Sequence, residues 1–292
     1  MIIVDMNQIT ISNLMMQIGS KHQEVLGAPN EVDEELVRHM VLNSLRMYRS
    51  RFGKEYGELV LCYDSKKYWR RDYFPNYKAN RKKDRAKSGL DWNSIFETLN
   101  NIRDEIKTVF PYKVVEVEGA EADDCIAVII QHISKTPNEF EKVLILSGDK
   151  DFIQLQKHSF VKQYSPVLKK FVSGIDPHLY IREHVLKGDR SDGIPNFLSP
   201  DNTFVDELRQ KPLSKKKMNN WVDQEPSDYC TEDMMRNYQR NKILIDLECI
   251  PSDLTERILE AYELPPKGNR AGLLNYFIQK RLRNLMNDIG DF

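Results

Sequence analysis

Nothing in this chain staples or anchors it from outside. Four cysteines, Cys62, Cys125, Cys230 and Cys249, stand far apart with no C-x-x-C pair. That spacing excludes a zinc knuckle and reads as the reduced thiols of a cytoplasmic protein. No apolar run approaches the ~20 residues of a membrane span, so no membrane partner is expected. The opening MIIVD is too short and too soon charged for a signal peptide. Neither sign of charge is in excess: 43 Lys and Arg meet 44 Asp and Glu. The net charge of −1 hides segregation, however. Residues 66–87 read KKYWRRDYFPNYKANRKKDRAK, with ten basic residues against two acids. That stretch alone carries +8, which leaves −9 for the remainder.

What is present is an ordinary globular composition, 40% hydrophobic and 30% charged over 292 residues, enough for one large domain or two modest ones. IIV (2–4) is a short β-branched run ending at Asp5. Residues 31–52 carry a helical apolar stripe from Val32 through Leu36, Met40, Val41, Leu45 and Tyr48 to Phe52. ELVLCYD (58–64) reads as a strand ending at Asp64. Asp91 is placed to cap a helix that runs to Pro111. YKVVEVEG (112–119) reads as a strand, ADDCIAVIIQHISK as a largely buried helix, and EKVLILSGDKD (141–151) as a strand ending in acids. VKQYSP and KKFV (161–172) read as a hairpin. From about 176 the chain reads mostly helical, with a polar, loop-like stretch near 188–230.

Strands alternating with helices indicate an α/β fold, with a central, mostly parallel sheet covered by helices on both faces. Ligands of such sheets bind beyond the carboxyl ends of the strands. Every one of the first four strands delivers acid there: Asp5, then Asp64, then Glu121 with Asp123 and Asp124, then Asp149 and Asp151. GDRSDG (188–193) adds Asp189 and Asp192. Asp suits turns and helix caps in its own right, but four strands out of four is a pattern. Carboxylates without His or Cys select hard divalent ions, magnesium or manganese. Two such ions can clamp the attacking and leaving oxygens of a phosphodiester.

The basic stretch rises directly after Asp64. A charge run is most often a solvated face, but aromatics are interleaved here: Tyr68, Trp69, Tyr73, Phe74 and Tyr77. Basic residues track phosphates and aromatics stack on unpaired bases. Lys66, Lys67, Tyr68, Trp69, Arg70, Arg71, Tyr77, Lys78, Arg81 and Lys82 are therefore candidate nucleic-acid contacts. Acids that hold metal, beside bases that hold phosphate, give the layout of a nuclease.

IIVDMNQI (2–9), LCYDSKKYWRRDYFPNYKANR (61–81), EGAEADDCIAV (118–128), LILSGDKDFIQL (144–155) and KGDRSDG (187–193), in that order, resemble the flap-endonuclease-like 5′-nucleases. The likeness is strongest to the members found in T-even bacteriophages. It implies a PIN-like nuclease fold and a metal-dependent 5′-to-3′ exonuclease with flap endonuclease and ribonuclease H activity. Such an enzyme removes RNA primers from lagging-strand fragments in phage replication. Two Mg²⁺ ions are implied, with Mn²⁺ as a substitute. One would be held by Asp5, Asp64, Asp123 and Asp149, with Glu121 acting through water. The other would be held around Asp151, Asp189 and Asp192, with Asp124 in an outer shell. YKANR matches the family's YK-x-NR, which puts Lys78 and Arg81 on the scissile phosphate and Tyr77 against a base. The expected division is a catalytic α/β domain over 1–175, including an arch over 65–90, and a mainly helical DNA-binding domain over 176–292. Expected partners are DNA and RNA–DNA hybrids with 5′ ends, flaps or forks, together with a single-strand-binding protein and a sliding clamp. The protein is expected to be a monomer.

Two departures stand out. The glycine-rich G-x-G helix-turn-helix that follows the last acids in most of the family is absent. KPLSKKK (211–217), with Lys215, Lys216 and Lys217, is either its substitute in gripping phosphates or a solvated loop. T-even phage members carry an N-terminal extension that engages the clamp, whereas this chain opens on its first strand, so clamp contact by that route is not expected. NDIGDF at the other end reads as an apolar tail anchor or a frayed helix end. Two other functions fit parts of the pattern. An aspartyl-nucleophile phosphatase needs D-x-D at the first strand, where this chain has Asp5-Met6-Asn7. A non-catalytic nucleic-acid-binding replication factor accounts for the basic stretch and leaves nine acids without a purpose.

Overall fold

The computed structural model describes residues 1–19, 31–135 and 141–292. Strand β1 (Ile2–Asp5) runs straight into helix α1 (Met6–Ile18). Asp33 caps α2 (Glu34–Tyr56), and β2 (Leu59–Cys62) follows. The basic stretch folds into two short helices, α3 (Trp69–Tyr73) and α4 (Asn80–Lys87). Asp91 caps α5 (Trp92–Val109) as the sequence indicates, accepting from the amides of Asn93 and Ser94. Then come β3 (Lys113–Val115), α6 (Ala122–Lys135), β4 (Val143–Leu146) and a 3₁₀ helix (Lys150–Lys157). The expected hairpin is β5 (Val161–Ser165) with β6 (Lys170–Val172). The remainder is helical: α7 (Pro177–Lys187), α8 (Lys215–Trp221), α9 (Pro226–Tyr229), α10 (Glu232–Ile245), α11 (Ser252–Glu263) and α12 (Leu273–Gln279).

The sheet has the order β3-β2-β1-β4-β5-β6, parallel throughout except for the β5–β6 pair. From β1 the chain builds outward through β2 and β3, then returns to the other side of β1 for β4. The topological switch therefore lies between β1 and β4, where the carboxyl ends of open parallel sheets form their crevice. Two of the expected strands are shorter than their apolar runs. The third stops at Val115, and the chain then turns through Gly119, whose φ of +93° a side chain would resist. The fourth stops at Leu146, because Asp149 caps the 3₁₀ helix instead of extending the strand.

Both faces of the sheet are buried. Ile2, Val4, Leu59, Leu61, Leu144 and Leu146 point into one core with α2 and α5, and Ile3, Val60, Cys62, Val143 and Ile145 point into the other with α6. Side chains alternate between faces along a strand, so a strand covered on both sides needs apolar residues at every position. That is why KVLILS shows no alternation.

The division expected at residue 176 does not separate these cores. Leu254 and Ile258 of α11 belong to the α6 side, and Leu273 and Phe277 of α12 to the α2 side. Glu105 of α5 fastens α12 further, accepting from Arg38 Nε at 2.7 Å and Tyr276 Oη at 2.7 Å. NDIGDF is neither a tail anchor nor a frayed end. Phe292 is fully buried, with ring centroids 5.6 Å from Phe110 and 5.2 Å from Phe277. A smaller cluster of Leu186, Phe197, Met218 and Val222 holds the 188–222 region together. Among the described residues, no helix is long and apolar enough to cross a membrane.

Truncating Phe292 to Ala removes a fully buried ring and is expected to cost about 3–5 kcal/mol of stability. Urea denaturation reads this directly. A cost within ~0.5 kcal/mol, as at an exposed site, would return the end of the chain to the frayed reading.

Candidate active site

The carboxyl edge of the sheet sorts its acids into two classes. The first has protein cations. Arg70 Nη1 donates to Glu121 Oε2 at 3.0 Å, and Arg70 Nη2 lies 2.8 Å from Asp124 Oδ1. Lys78 Nζ pairs with Glu121 Oε1 and lies 3.5 Å from Asp192 Oδ2. Arg81 Nη2 reaches Asp192 Oδ1 at 3.0 Å. The second class is Asp5, Asp64, Asp123, Asp149 and Asp151. Among the described residues no Lys or Arg forms an ion pair with any of these five.

Local structure aims the second class. Asp5 caps α1 through the Gln8 amide at 3.1 Å, and Ser147 Oγ donates to its other oxygen at 2.9 Å. Asp64 Oδ1 accepts from the Ala122 amide at 2.8 Å, which ties it to the start of α6. Asp149 caps the 3₁₀ helix by accepting from the Asp151 amide at 3.0 Å. Asp5 is buried, Asp64, Asp123 and Asp151 are half-buried, and Asp149 stands at the exposed rim. Burial first, and then the field of Asp149, push Asp5 up to about 6. Burial, then Glu121, push Asp64 up to about 7. Burial and Asp149 push Asp151 up to about 7 as well, and drive Asp123 well up. Glu121 goes the other way: burial raises it, but Lys78 and Arg70 together pull it below the usual carboxylate range.

These shifts test whether a cation belongs here. Carboxyls held near neutrality by burial and one another lack counter-charge. Their oxygens are hard ligands, and Asp149 leaves the crevice open to solvent. The ligand atoms of Asp151, His184 and Asp189 lie within 4.8 Å of one another, close enough to share one divalent ion.

Several sequence expectations change on contact with the structure. Asp124 is fully buried and takes Arg70, the Trp69 indole N–H at 3.2 Å and the Glu121 amide at 2.9 Å. Its acid holds the basic stretch in place instead of standing open to an ion. Arg70, only 3% exposed, also donates to the Leu244 carbonyl at 2.9 Å and is closed to nucleic acid. Tyr77 is buried with Phe74, Ile194, Leu244 and Ile245, so its ring stacks on protein, not on a base. Its hydroxyl lies 2.9 Å from Glu121 and 3.0 Å from Asp192 and donates to one of them at a time. Lys78 is buried too, with a φ of +55°, and its amide donates to the Asp192 carbonyl at 2.7 Å. Of the ten basic residues in the stretch only Arg70 and Lys78 are buried, where the acids take them up.

The other eight are exposed or half-buried. Lys66, Lys67, Arg71 and Lys82 are exposed, and Tyr68, Trp69 and Arg81 are half-buried. Lys66, Tyr68, Arg71, Arg81 and Arg85 line a groove of about 490 Å³ whose wall includes Asp64. Lys215, Lys216 and Lys217 are exposed on α8. Lys215 borders a wide groove of about 1630 Å³ with Lys83 and Lys87 of α4 across from it.

The loop with Asp189 and Asp192 is set by Gly188, φ +67°, where a Cβ would come within 2.4 Å of the Ile194 carbonyl oxygen. Asp189 Oδ1 is taken up inside this loop, by the Ser191 amide at 2.7 Å and the Ser191 hydroxyl at 2.6 Å. Sequence reasoning missed three residues here: Ser147, Gln8, whose Oε1 accepts from the Gly148 amide at 2.6 Å, and His184. His184 sits between Asp151 and Asp189. The only hint of it in the sequence is a histidine in the helix turn that leads into GDRSDG.

Comparison with known proteins agrees with this architecture. Residues 26–183 match the family described as 5′-3′ exonuclease, N-terminal resolvase-like domain. Residues 176–292 match the one described as T4 RNase H, C terminal. Ribonuclease H of Enterobacteria phage T4 is 34% identical over 305 aligned positions, covering 99% of this chain and 95% of the relative. The chain belongs to the flap-endonuclease-like 5′-nuclease family. A 5′-3′ exonuclease of Buchnera aphidicola is 30% identical over 49% of each chain. Among solved folds, a bacteriophage T5 flap endonuclease in a pseudo-enzyme–product complex with DNA and metal ions superposes with a TM-score of 0.61. It is 18% identical, with 90% of this chain and 99% of that one covered. This 5′-nuclease is therefore an enzyme with a mostly parallel sheet and a helical C-terminal region, and the phosphatase and non-catalytic alternatives fall away.

The raised carboxyls of the nuclease give a pH signature. Unfolded aspartates ionise near ~4, whereas folded Asp5 ionises at about 6 and Asp64 and Asp151 at about 7. Between those limits the folded state holds more protons than the unfolded one, so these groups lower stability as pH rises through that window. A divalent ion that binds only the folded chain offsets the loss. The rise in melting temperature on adding Mg²⁺ to chelator-treated protein is expected to be larger at about pH 8 than at about pH 5. Equal rises would count against the cluster as the ion's seat.

Proposed function

We propose that this 5′-nuclease hydrolyses phosphodiester bonds at the 5′ ends of duplex DNA and RNA–DNA hybrids, as exonuclease and flap endonuclease. Its proposed role is removal of RNA primers from lagging-strand fragments in the cytoplasm of an infected cell. The observation that carries this reading is the set of five carboxylates with no Lys or Arg partner among the described residues, beside a groove edged with arginine and lysine. Two Mg²⁺ ions fit the set, one with Asp5, Asp64 and Asp123 and the other with Asp151, with Asp149 next to both groups. Such ions, when bound, supply water activation and charge neutralisation.

The chain's own part is binding and orientation. Arg81 keeps about two-fifths of its side chain exposed and faces the groove whose wall includes Asp64. Its unused donors suit a phosphate in bidentate geometry. Lys78 brings a second positive charge to the same place, held charged by Glu121 and Asp192. Lys66 and Arg71 lead a single strand toward them. Lys83, Lys87 and Lys215 border the wider groove, whose size and charge suit a duplex backbone in place of the missing glycine-rich motif. The proposed division of labour keeps 1–175 as the catalytic part and 176–292 as the mainly helical DNA-binding part, with Lys215, Lys216 and Lys217 as candidate phosphate contacts within it. Contacts with a single-strand-binding protein or clamp, and a monomeric state, complete the proposal.

A 5′-labelled flap and a nicked RNA–DNA hybrid, incubated with and without Mg²⁺, test it by product size. Short 5′ products with the ion and none without it are expected. Asp149→Asn is expected to lower the rate by roughly 10³-fold or more, equivalent to ~4 kcal/mol, while flap binding persists. Full activity in that variant would sink the assignment. Lys78→Ala is expected to cost roughly 10²-fold in turnover with little change in duplex affinity, and an unchanged rate would remove Lys78 from the reacting phosphate.

A further inference from the structure

One nitrogen stands in a site otherwise built of oxygen. His184, in the last turn of α7, is wedged between two carboxylates. Its Nδ1 lies 3.3 Å from Asp151 Oδ1, and its Nε2 lies 3.4 Å from Asp189 Oδ2. Nδ1 is fully buried and has no hydrogen-bond partner. The two nitrogens are not equivalent. Asp189 is fixed by its own loop through Oδ1 and presents Oδ2 to the ring, the acceptor that an Nε2–H wants. Tyr180 packs edge-on at 5.4 Å and restrains the ring's rotation. That tautomer points the Nδ1 lone pair at Asp151 Oδ1 with no hydrogen bond made, a place that either a proton or a metal ion fills.

Asp151, His184 and Asp189 each offer one ligand atom within 4.8 Å of the others. Bonds of ~2.1 Å meeting at a right angle separate two ligand atoms by ~3 Å, close to the Nδ1–Asp151 distance. A metal-bound histidine almost always gives its other N–H to a carboxylate, which fixes its tautomer and orientation. Asp189 fills that role here.

We infer that His184 Nδ1 is a direct ligand of the ion held with Asp151, and that Asp189 orients the imidazole instead of binding the ion itself. The inference rests on the divalent-ion reading above and divides its two positions by chemistry. The Asp5, Asp64 and Asp123 position offers carboxylate oxygen alone and suits Mg²⁺. The Asp151 position adds imidazole, which favours Mn²⁺, Co²⁺ or Zn²⁺ over Mg²⁺. The histidine is this chain's own means of making two adjacent acid sites unlike.

Untagged full-length protein loaded with Mn²⁺ tests this by pulsed EPR, in which a nitrogen bound to the ion modulates the electron spin echo. Histidine-type nitrogen modulation is expected for the wild type. His184→Phe keeps the ring's shape and is expected to abolish the modulation. Calorimetry of the same variant should show one class of Mn²⁺ sites weakened by at least the ~10–100-fold that loss of a supporting partner alone costs. Mg²⁺ affinity should change less. Asp189→Asn leaves one amide oxygen for both the Ser191 donors and Nε2–H, and is expected to weaken Mn²⁺ binding while retaining the modulation. Mn²⁺ binding without modulation in the wild type would overturn the inference while leaving the divalent-ion reading intact. No Mn²⁺ or Mg²⁺ binding in the wild type would overturn both. Should His184→Phe fail to fold by circular dichroism, the wild-type spectrum decides alone.

Discussion

Like-charge repulsion at one edge of a sheet is the constraint to which the rest of this molecule answers. A parallel sheet points all its carboxyl ends the same way, and this chain loads each of the first four with acid. Two carboxylates ~4 Å apart repel by about 4 kcal/mol at an effective dielectric of ~20. The fold meets that cost in two ways. Glu121, Asp124 and Asp192 take Arg70, Lys78 and Arg81 as partners. Among the described residues Asp5, Asp64, Asp123, Asp149 and Asp151 take no Lys or Arg as partner, and burial first, with neighbouring acid after it, raises the pKa of Asp5, Asp64, Asp123 and Asp151.

The same constraint explains the basic stretch. Its ten positive charges are not one surface. Arg70 is the hinge of the arrangement, reaching Glu121, Asp124 and the Leu244 carbonyl from a fully enclosed position. It joins the foot of the arch to the start of α6 and the end of α10. Removing one member of such a buried group leaves a charge unpaired, which typically costs 3–5 kcal/mol. The fixed part of the stretch therefore ends near Lys78. Beyond it, α4 carries Lys82, Lys83 and Lys87 on exposed positions.

Much of the fold was readable from pattern alone. Asp33, Asp91 and Asp176 cap helices where short polar residues precede apolar stripes. Unalternating apolar runs marked strands covered on both faces. That the strand-end acids gather at one edge was readable too, since a parallel sheet points its carboxyl ends one way. Strand lengths were less so, because backbone capping by Asp149 and the turn at Gly119 end pairing before the apolar run ends. Aromatic residues within the basic stretch were misread for a related reason. Composition says what Tyr77 and Phe74 are able to do, and packing against Leu244 and Ile245, more than 160 residues away, decides what they do.

The sequence by itself determined that acid gathers at the carboxyl edge of a mostly parallel sheet, and that base follows immediately behind it. Periodicity and strand polarity are local properties, so no knowledge of distant contacts was needed. Only the tertiary structure decided which acids are paired with Arg or Lys within the protein and which are not. That choice depends on reach: Arg70 and Lys78 are long enough to meet Glu121, Asp124 and Asp192, and too firmly held to serve the others. His184 belongs to the second kind as well. Nothing in its neighbours along the chain distinguishes it from a surface histidine, and its place between Asp151 and Asp189 exists only once α7 packs against the 3₁₀ helix.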